Sequence, residues 1–197
     1  MEDKKQVKNE IENLKVQIRR KEKKSKERPD FKWIFKIMAL AFVISITFSF
    51  ISETILPNVN VVIGILLVII FILLGVIFDM IGVSVTSADE KPFHSMNSRK
   101  VKGAGVAVKF KKSADKVSSF CNDVIGDICG IVSGSAGTII AIALANSLHV
   151  DKFVITLVVT ALIASLTIGG KALGKSYAIN KSNLILYKFA KLHIEFL

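Results

Sequence analysis

One stretch decides the fold: VVIGILLVIIFILLGVIFDMIGVSV at residues 61–85, in which Asp79 is the only charged residue. About 20 mostly apolar residues suffice for a helix to cross a hydrocarbon core of roughly 30 Å. The stretch is therefore predicted to be a membrane-spanning helix. Three further runs meet the same criterion, at about residues 34–55, 124–148 and 153–173. The sequence thus predicts an all-α integral membrane protein with four transmembrane helices.

The composition agrees with this class, because apolar and charged residues are segregated along the chain. Of 197 residues, 51% are hydrophobic and 22% are charged, and the formal net charge is +11. An evenly mixed soluble domain would not combine these values, and a disordered chain would be poor in Leu, Ile, Val and Phe. Both classes are excluded.

The basic residues predict the orientation of the spans. Thirteen of the 27 Lys and Arg lie in residues 1–36, eight in 89–116 and five after Gly170, whereas the short connections 56–60 and 149–152 share one. Lys and Arg next to spans stay on the cytoplasmic side. We therefore expect a multi-pass protein of the cell membrane with both termini in the cytoplasm. The positive charge would then contact anionic lipids of the inner leaflet, and no nucleic-acid partner is expected.

The chain is predicted to have three parts. Residues 1–30 form a charged cytoplasmic helix, and residues 31–60 form an extra transmembrane helix and an outer turn. Residues 61–197 form a three-helix membrane domain. The charged helix carries a short apolar stripe at Val7, Ile11, Leu14 and Ile18, which fits either a solvated helix packed on something nearby or a weak dimeric coiled coil.

Two basic segments are predicted to be amphipathic helices along the inner membrane surface. Residues 86–120 would form short helices broken near Pro92 and near residues 103–105, with Ser113 capping a last helix that runs into the third span. Residues 177–197 would form a second basic amphipathic helix at the carboxyl end.

Small residues recur every four positions in the third and fourth spans. Such spacing lets helix backbones approach closely in lipid. We expect these spans to pack tightly on each other or on a second subunit, although compact packing without functional meaning explains each glycine taken singly. The three series are Gly126, Gly130 and Gly134; Gly137, Ala141 and Ala145; and Ala161, Ser165 and Gly169.

The histidines and cysteines do not suggest an enzyme. His94, His149 and His193 are scattered over both sides of the membrane, and no Ser/His/Asp or metal-hydrolase spacing occurs. Cys121 and Cys129 lie near the reducing side and are interpreted as buried small hydrophobic residues without a disulfide.

Acidic side chains within spans are functional candidates by default, because a charge that faces lipid costs several kcal/mol, on the order of 3. Glu53 and Asp79 fall near span ends, so contact with the interface is the alternative to a functional role for each, and it is the preferred interpretation of Glu53. A larger set lies at the inner ends of the second and third spans. These two stretches would meet if the basic segment folds back under the bilayer.

The resulting set is rich in oxygen ligands of the kind that hard cations such as Mg²⁺ prefer. A bound cation and a set of helix caps with interfacial hydrogen bonds are the two interpretations. The candidate metal ligands are Ser87, Asp89, Glu90, Asn122, Asp123 and Asp127.

A series of short motifs runs through the same region. The second span ends in Ser87-Ala-Asp-Glu90, and Ser95 follows the glutamate by five residues. A basic stretch, an alanine-containing helix and Ala114-Asp-Lys116 come next, and Cys121-Asn-Asp123 leads into the third span. This order resembles the transmembrane domain of the CorB/CorC and cyclin M (CNNM) family, which is linked to magnesium and cobalt transport. The resemblance covers about residues 61–195.

The resemblance implies a three-helix membrane core, a homodimer, and a divalent-cation site to which Ser87, Glu90 and Asn122 carry over. Three positions of the site depart from the family pattern. Asp89 and Asp123 stand where the family has neutral Ser and Asn, and Gly170 replaces a cation-binding Glu of the last span. The added carboxylates could offset that loss, or the site could be degenerate. The family's cytosolic CBS-pair domain has no counterpart in these residues.

The leading hypothesis is a membrane protein related to magnesium and cobalt transporters that binds, and possibly passes, a divalent cation such as Mg²⁺. The alternative is a non-transporting scaffold with a degenerate site. That scaffold would act through its basic cytoplasmic helices on lipid or a partner.

Overall fold

The computed structural model describes residues 31–195 of the chain. The predicted charged helix over residues 1–30 lies outside the described residues, as do the last two residues of the predicted carboxyl-terminal helix. The chain divides into two compact units, residues 1–36 and 37–197. Of the first unit only residues 31–36 are described, and every contact given below lies within the second unit.

The described part of the chain is helical throughout and contains no strand. A 3₁₀ turn and a π-helical segment interrupt the α-helices. In chain order the elements are α1 (Phe31–Ile55), the 3₁₀ turn (Leu56–Asn58), α2 (Val61–Ser87), α3 (Glu90–Ser98), α4 (Ala104–Lys112), α5 (Ala114–Ser119), the π-helical segment (Phe120–Gly126), α6 (Asp127–Leu148), α7 (Lys152–Asn180) and α8 (Ser182–Glu195).

Four helical runs are long and apolar enough to cross a membrane, which confirms the predicted class. They are α1, α2, α7 and the continuous run Ala114–Leu148 that joins α5, the π-helical segment and α6. At 1.5 Å per residue, a run of 35 residues extends for about 52 Å. It is therefore longer than the hydrocarbon core that a spanning helix has to cross. The four helices suggest a multi-pass membrane protein.

Helix α2 is central among the helices that follow it in the chain. It packs against α5, the π-helical segment, α6, α7 and α8. Glycines set two of these contacts. A Cβ atom at Gly75 would lie 3.2 Å from the Cys129 Cβ and 3.3 Å from the Gly126 carbonyl oxygen. A Cβ atom at Gly174 of α7 would lie 2.8 Å from the Met80 Cγ, so both neighbouring helices approach α2 closely.

The later part of α1 packs on the π-helical segment and on α6. Ile37, Ala41 and Ile44 contact a buried apolar cluster that includes Val124 and Val132. Many other large apolar side chains of α1 and α2 are exposed, as expected for helices that face lipid.

A second buried cluster joins α3, α4 and α8 to the end of α2. Its largest fully buried side chains are Phe93 of α3, Leu186 of α8 and Val85 of α2. The Lys111 ammonium group of α4 donates hydrogen bonds to the carbonyl oxygens of Val85 and Thr86, at 3.1 Å and 2.7 Å. These are orphan acceptors of the last helical turn, so Lys111 caps the carboxyl end of α2.

Three predicted boundaries differ from the observed ones. The predicted helix break near Pro92 is wrong, because Pro92 lies in the first turn of α3, where its missing N–H costs no hydrogen bond. The other predicted break, near residues 103–105, is observed at residues 99–103. Its last residue is Gly103, which has a left-handed φ of 96°. Ser113 precedes α5 but makes no side-chain capping hydrogen bond. The last helix starts at Ser182 rather than at residue 177, because α7 continues to Asn180.

The small residues of α6 and α7 are used less uniformly than their spacing suggests. Gly137 does meet α7, because a Cβ atom there would overlap the Ile163 side chain. A Cβ atom at Gly130 or Gly134 would have nothing within 4 Å, and Gly126 faces α2. The closest backbone approach among these glycines is therefore made to α2.

We predict that Gly75→Ala lowers the free energy of unfolding by about 1–3 kcal/mol, because the added methyl group has to push α6 away from α2. Thermal or denaturant unfolding of the purified chain in detergent measures the effect. Gly169→Ala in α7 is the matched control, since its methyl group enters open space. Equal loss of stability in the two variants would contradict the proposed packing.

Candidate functional site

The predicted ligands at the end of α2 form a group that we call the junction residues: Ser87, Asp89 and Glu90. Ser87 and Asp89 are exposed. The Asp89 backbone N–H donates to the Asn183 Oδ1 at 2.9 Å, which links the start of α3 to α8. The Glu90 Oε1 lies 2.9 Å from the His94 Nε2 one helical turn further along α3. Asp89 thus connects α3 to α8 through its backbone, and Glu90 contacts a histidine of its own helix.

Asn122 does not lie with the junction residues, because its side chain packs against α2 at Gly82. A Cβ atom at Gly82 would overlap the Asn122 carboxamide, so the absence of a side chain at Gly82 makes room for it. The Asn122 Nδ2 donates to the Ser118 Oγ at 3.4 Å, but its buried Oδ1 has no hydrogen-bond partner among the described residues. The amide therefore presents an unused acceptor to the interior.

Asn122 lies within the π-helical segment Phe120–Gly126, and Asp127 follows that segment directly. The i to i+5 hydrogen bonds of a π-helix change the direction of the side chains that follow it, and such turns are frequent at functional sites. Asn122 is half-buried, whereas Asp123 and Asp127 are both exposed.

Asp79 is the acidic residue of the spans that the structure buries. Its side chain is only 5% exposed, and its Oδ2 makes no hydrogen bond within the described residues. It lies on α2 three residues before Gly82, one turn from the Asn122 contact. The charged groups that act on it are Lys175, Lys171, Asp127 and Asp123.

Two lysines of α7 balance these carboxylates. The Lys171 ammonium group donates a hydrogen bond to the Asp127 Oδ1 at 3.1 Å. The Lys175 Nζ lies 3.9 Å from the Asp79 Oδ2, which is an ion pair without a hydrogen bond. We use the name α2–α7 polar cluster for Asp79, Asp127, Lys171 and Lys175 together with Asn122, whose amide packs on α2 at Gly82, one turn beyond Asp79.

The structure thus does not bring the six predicted ligands together. Asn122 and Asp127 belong to the α2–α7 polar cluster, the junction residues lie further along α2, and Asp123 is exposed and belongs to neither group. Ser87 follows Asp79 by eight residues, or about 12 Å along the helix axis. Within residues 31–195, no group of three or more His, Cys, Asp or Glu is arranged to hold a metal ion. The six-residue cation site stays a prediction.

The α2–α7 polar cluster offers oxygen ligands, and two ammonium groups lie beside them. Asp79 and Asp127 supply carboxylate oxygens, and Asn122 supplies an amide oxygen. These groups suit a hard cation. Cys121 and Cys129 are free and buried nearby in the same run. The two ammonium groups already neutralise the two carboxylates, so the cluster carries no net charge of its own.

We predict that Asp79 and Lys175 are energetically coupled by about 0.5–2 kcal/mol, at the lower end of values for contacting charges because Lys175 is half exposed. Lys175→Met should destabilise the protein more than Asp79→Asn, because it leaves a buried carboxylate unpaired. The double variant should recover part of the loss. Unfolding of all four proteins in detergent measures the coupling, and additive effects would show that the pair is not an interaction.

No family model matches the chain, and no curated protein sequence matches it either. The geometry of the α2–α7 polar cluster therefore carries the functional argument.

Proposed function

We propose that the protein binds a divalent cation, foremost Mg²⁺, at the α2–α7 polar cluster, as a relative of magnesium and cobalt transporters. The observation that carries the proposal is a pair of buried oxygen atoms, the Asp79 Oδ2 and the Asn122 Oδ1, that have no hydrogen-bond partner in the described part of the chain. Leaving such an acceptor unsatisfied costs about 1–3 kcal/mol. A bound cation would remove that cost for both atoms.

The ligand set supports a hard cation rather than a soft one. Asp79, Asn122 and Asp127 offer oxygen atoms only, and Mg²⁺ commonly completes its shell with water molecules. Both cysteine thiols lie in the same helical run and are buried, and no contact among the described residues joins either thiol to the carboxylates.

The basic segments support a membrane orientation with both termini in the cytoplasm. In that orientation the end of α2, the start of α6 and the end of α7 all lie at the inner side, so the cluster would open toward the cytoplasm. The lysines of α3–α5 and α8 would contact anionic lipid headgroups. Passage of the cation would require the cluster to be exposed to each side in turn.

Helix α6 supports a homodimer in this proposal. Gly130 and Gly134 border an open groove of about 250 Å³ between α6 and α7, lined also by Thr160 and Thr167. Small residues at such a surface allow another helix to approach closely.

A second function is favoured by the lysines. The Lys171–Asp127 hydrogen bond and the Lys175–Asp79 ion pair supply positive charge at the place where a cation would sit. In this alternative the protein is a non-transporting scaffold whose cation site is degenerate. It would act through its basic helices on lipid or a partner protein.

Cation binding to the purified chain in detergent separates the two functions. A ligand that binds only the folded state raises its stability by about 2.7 kcal/mol at one hundred times Kd. We expect a saturable rise in thermal stability with Mg²⁺, Mn²⁺ or Co²⁺. The rise should be lost in Asn122→Ala and reduced in Gly82→Ala, which displaces the amide without deleting it.

Glu90→Gln is the matched control, because its carboxylate pairs with His94 outside the cluster. It should keep the full cation response. A response lost in Glu90→Gln but kept in Asn122→Ala would move the site to the junction residues. No response of the wild type to any of the ions at millimolar concentration would favour the scaffold.

A further inference from the structure

We propose that Lys175 is a tethered counter-cation of the site, which an arriving divalent cation has to displace from Asp79. This inference rests on the proposed function and adds to it the step that regulates occupancy. The inference starts from a difference between the two lysines of the cluster, which lie one turn apart on α7. One donates a hydrogen bond to its carboxylate, and the other lies too far from its carboxylate to do so.

Lys171 is anchored and Lys175 is not. The Lys171 side chain is 19% exposed and donates a hydrogen bond of 3.1 Å to Asp127. The Lys175 side chain is 52% exposed, and its ammonium group stands 3.9 Å from the Asp79 Oδ2, which is too far for a hydrogen bond. The attraction of Lys175 to Asp79 is therefore purely electrostatic and leaves the carboxylate oxygen open to another cation.

The backbone around Lys175 cannot easily move, so the exchange is a side-chain motion. Gly174 brings α7 into close contact with Met80, the neighbour of Asp79 on α2. Gly170, one turn earlier, brings α7 against Val76. With the helices fixed by these two contacts, the ammonium group can leave only by rotation of its flexible stem toward water. Lysines near the ends of membrane helices readily turn toward water in this way.

Charge balance requires that one lysine leaves. Two ammonium groups and two carboxylates are neutral together, so adding a divalent cation while both lysines remain would leave two uncompensated positive charges beside the buried Asp79 side chain. Release of Lys175 removes one of these charges, and the exposed Asp123 is near enough to act on the cluster as a further negative group. The divalent cation and the Lys175 ammonium group are therefore mutually exclusive at Asp79.

The decisive experiment is a Mn²⁺ titration of the full chain in detergent, with free Mn²⁺ measured by electron paramagnetic resonance. Lys175→Met should lower the half-saturating Mn²⁺ concentration by about tenfold, within the usual range for coupled ligands. Lys175→Arg keeps the charge and should bind no more tightly than the wild type. Lys188→Met on α8 makes the same change in net charge and should change the half-saturating concentration by less than about twofold.

The outcomes separate this inference from the proposed function. Tighter binding in Lys175→Met, or binding in Lys175→Met alone, supports the displacement. If the wild type binds Mn²⁺ and Lys175→Met binds with equal or lower affinity, the displacement is wrong while the cation site remains. If neither protein binds Mn²⁺, the proposed function is wrong and the displacement falls with it.

A measurement on the wild type guards against loss of folding in the variant. Lys175 is acetylated with a water-soluble, amine-reactive reagent, and the rate is followed by mass spectrometry. The rate should be higher in the presence of saturating Mn²⁺, because the ammonium group then faces water. Lys188 in the same sample provides the reference rate. An unchanged ratio of the two rates in a sample shown to bind Mn²⁺ would overturn the displacement.

Discussion

The buried carboxylate of Asp79 has to be balanced by a positive charge, because an unpaired charge in an apolar interior is among the costliest features that a membrane protein can carry. Helix α7 supplies that charge from Lys175, and it does so at the place where Gly174 lets it touch α2 beside Met80. Charge compensation and close packing thus occur at one contact. Helix α7 contacts α2 at Val76 and Met80, whereas the space for Asn122 lies on the side of α2 where Gly75 and Gly82 face the run Ala114–Leu148.

The four spans could be predicted from the sequence because length and hydropathy are properties of a continuous run. The polar cluster could not be predicted in the same way. Asp79 and Lys175 are far apart in the sequence, and their meeting depends on the rotation of two helices about their axes. Two features of the sequence are a modest indication of this contact. Asp79 interrupts an otherwise uncharged run, and Lys171 and Lys175 are spaced by one helical turn on the last span. Read together, these features indicate a charge pair within the bundle.

The junction residues show the opposite case. Their order in the sequence suggested a single site with Asn122, because a folded-back segment would bring both span ends together. The segment does fold back onto α2, but α3, α4 and α8 form a buried apolar cluster there, and Lys111 and Asn183 take up the polar groups of the chain reversal. Asp89 precedes α3 without a side-chain capping hydrogen bond and Glu90 contacts His94, whereas Asn122 has an unused oxygen. Asp79 lies one turn of α2 before the Gly82 position against which Asn122 packs.

The π-helical segment also has a consequence for how sequences of this kind can change. A π-helical turn is equivalent to one inserted residue in an α-helix, and each residue turns the direction of side chains by about 100°. Deletion of one residue within Phe120–Gly126 would restore regular α-helix and rotate the whole of α6 relative to α5. Cys129 would then no longer face Gly75, and Asp127 would turn away from Lys171. A substitution along α6 leaves these two contacts in register, whereas a change of one residue in the length of the run shifts both.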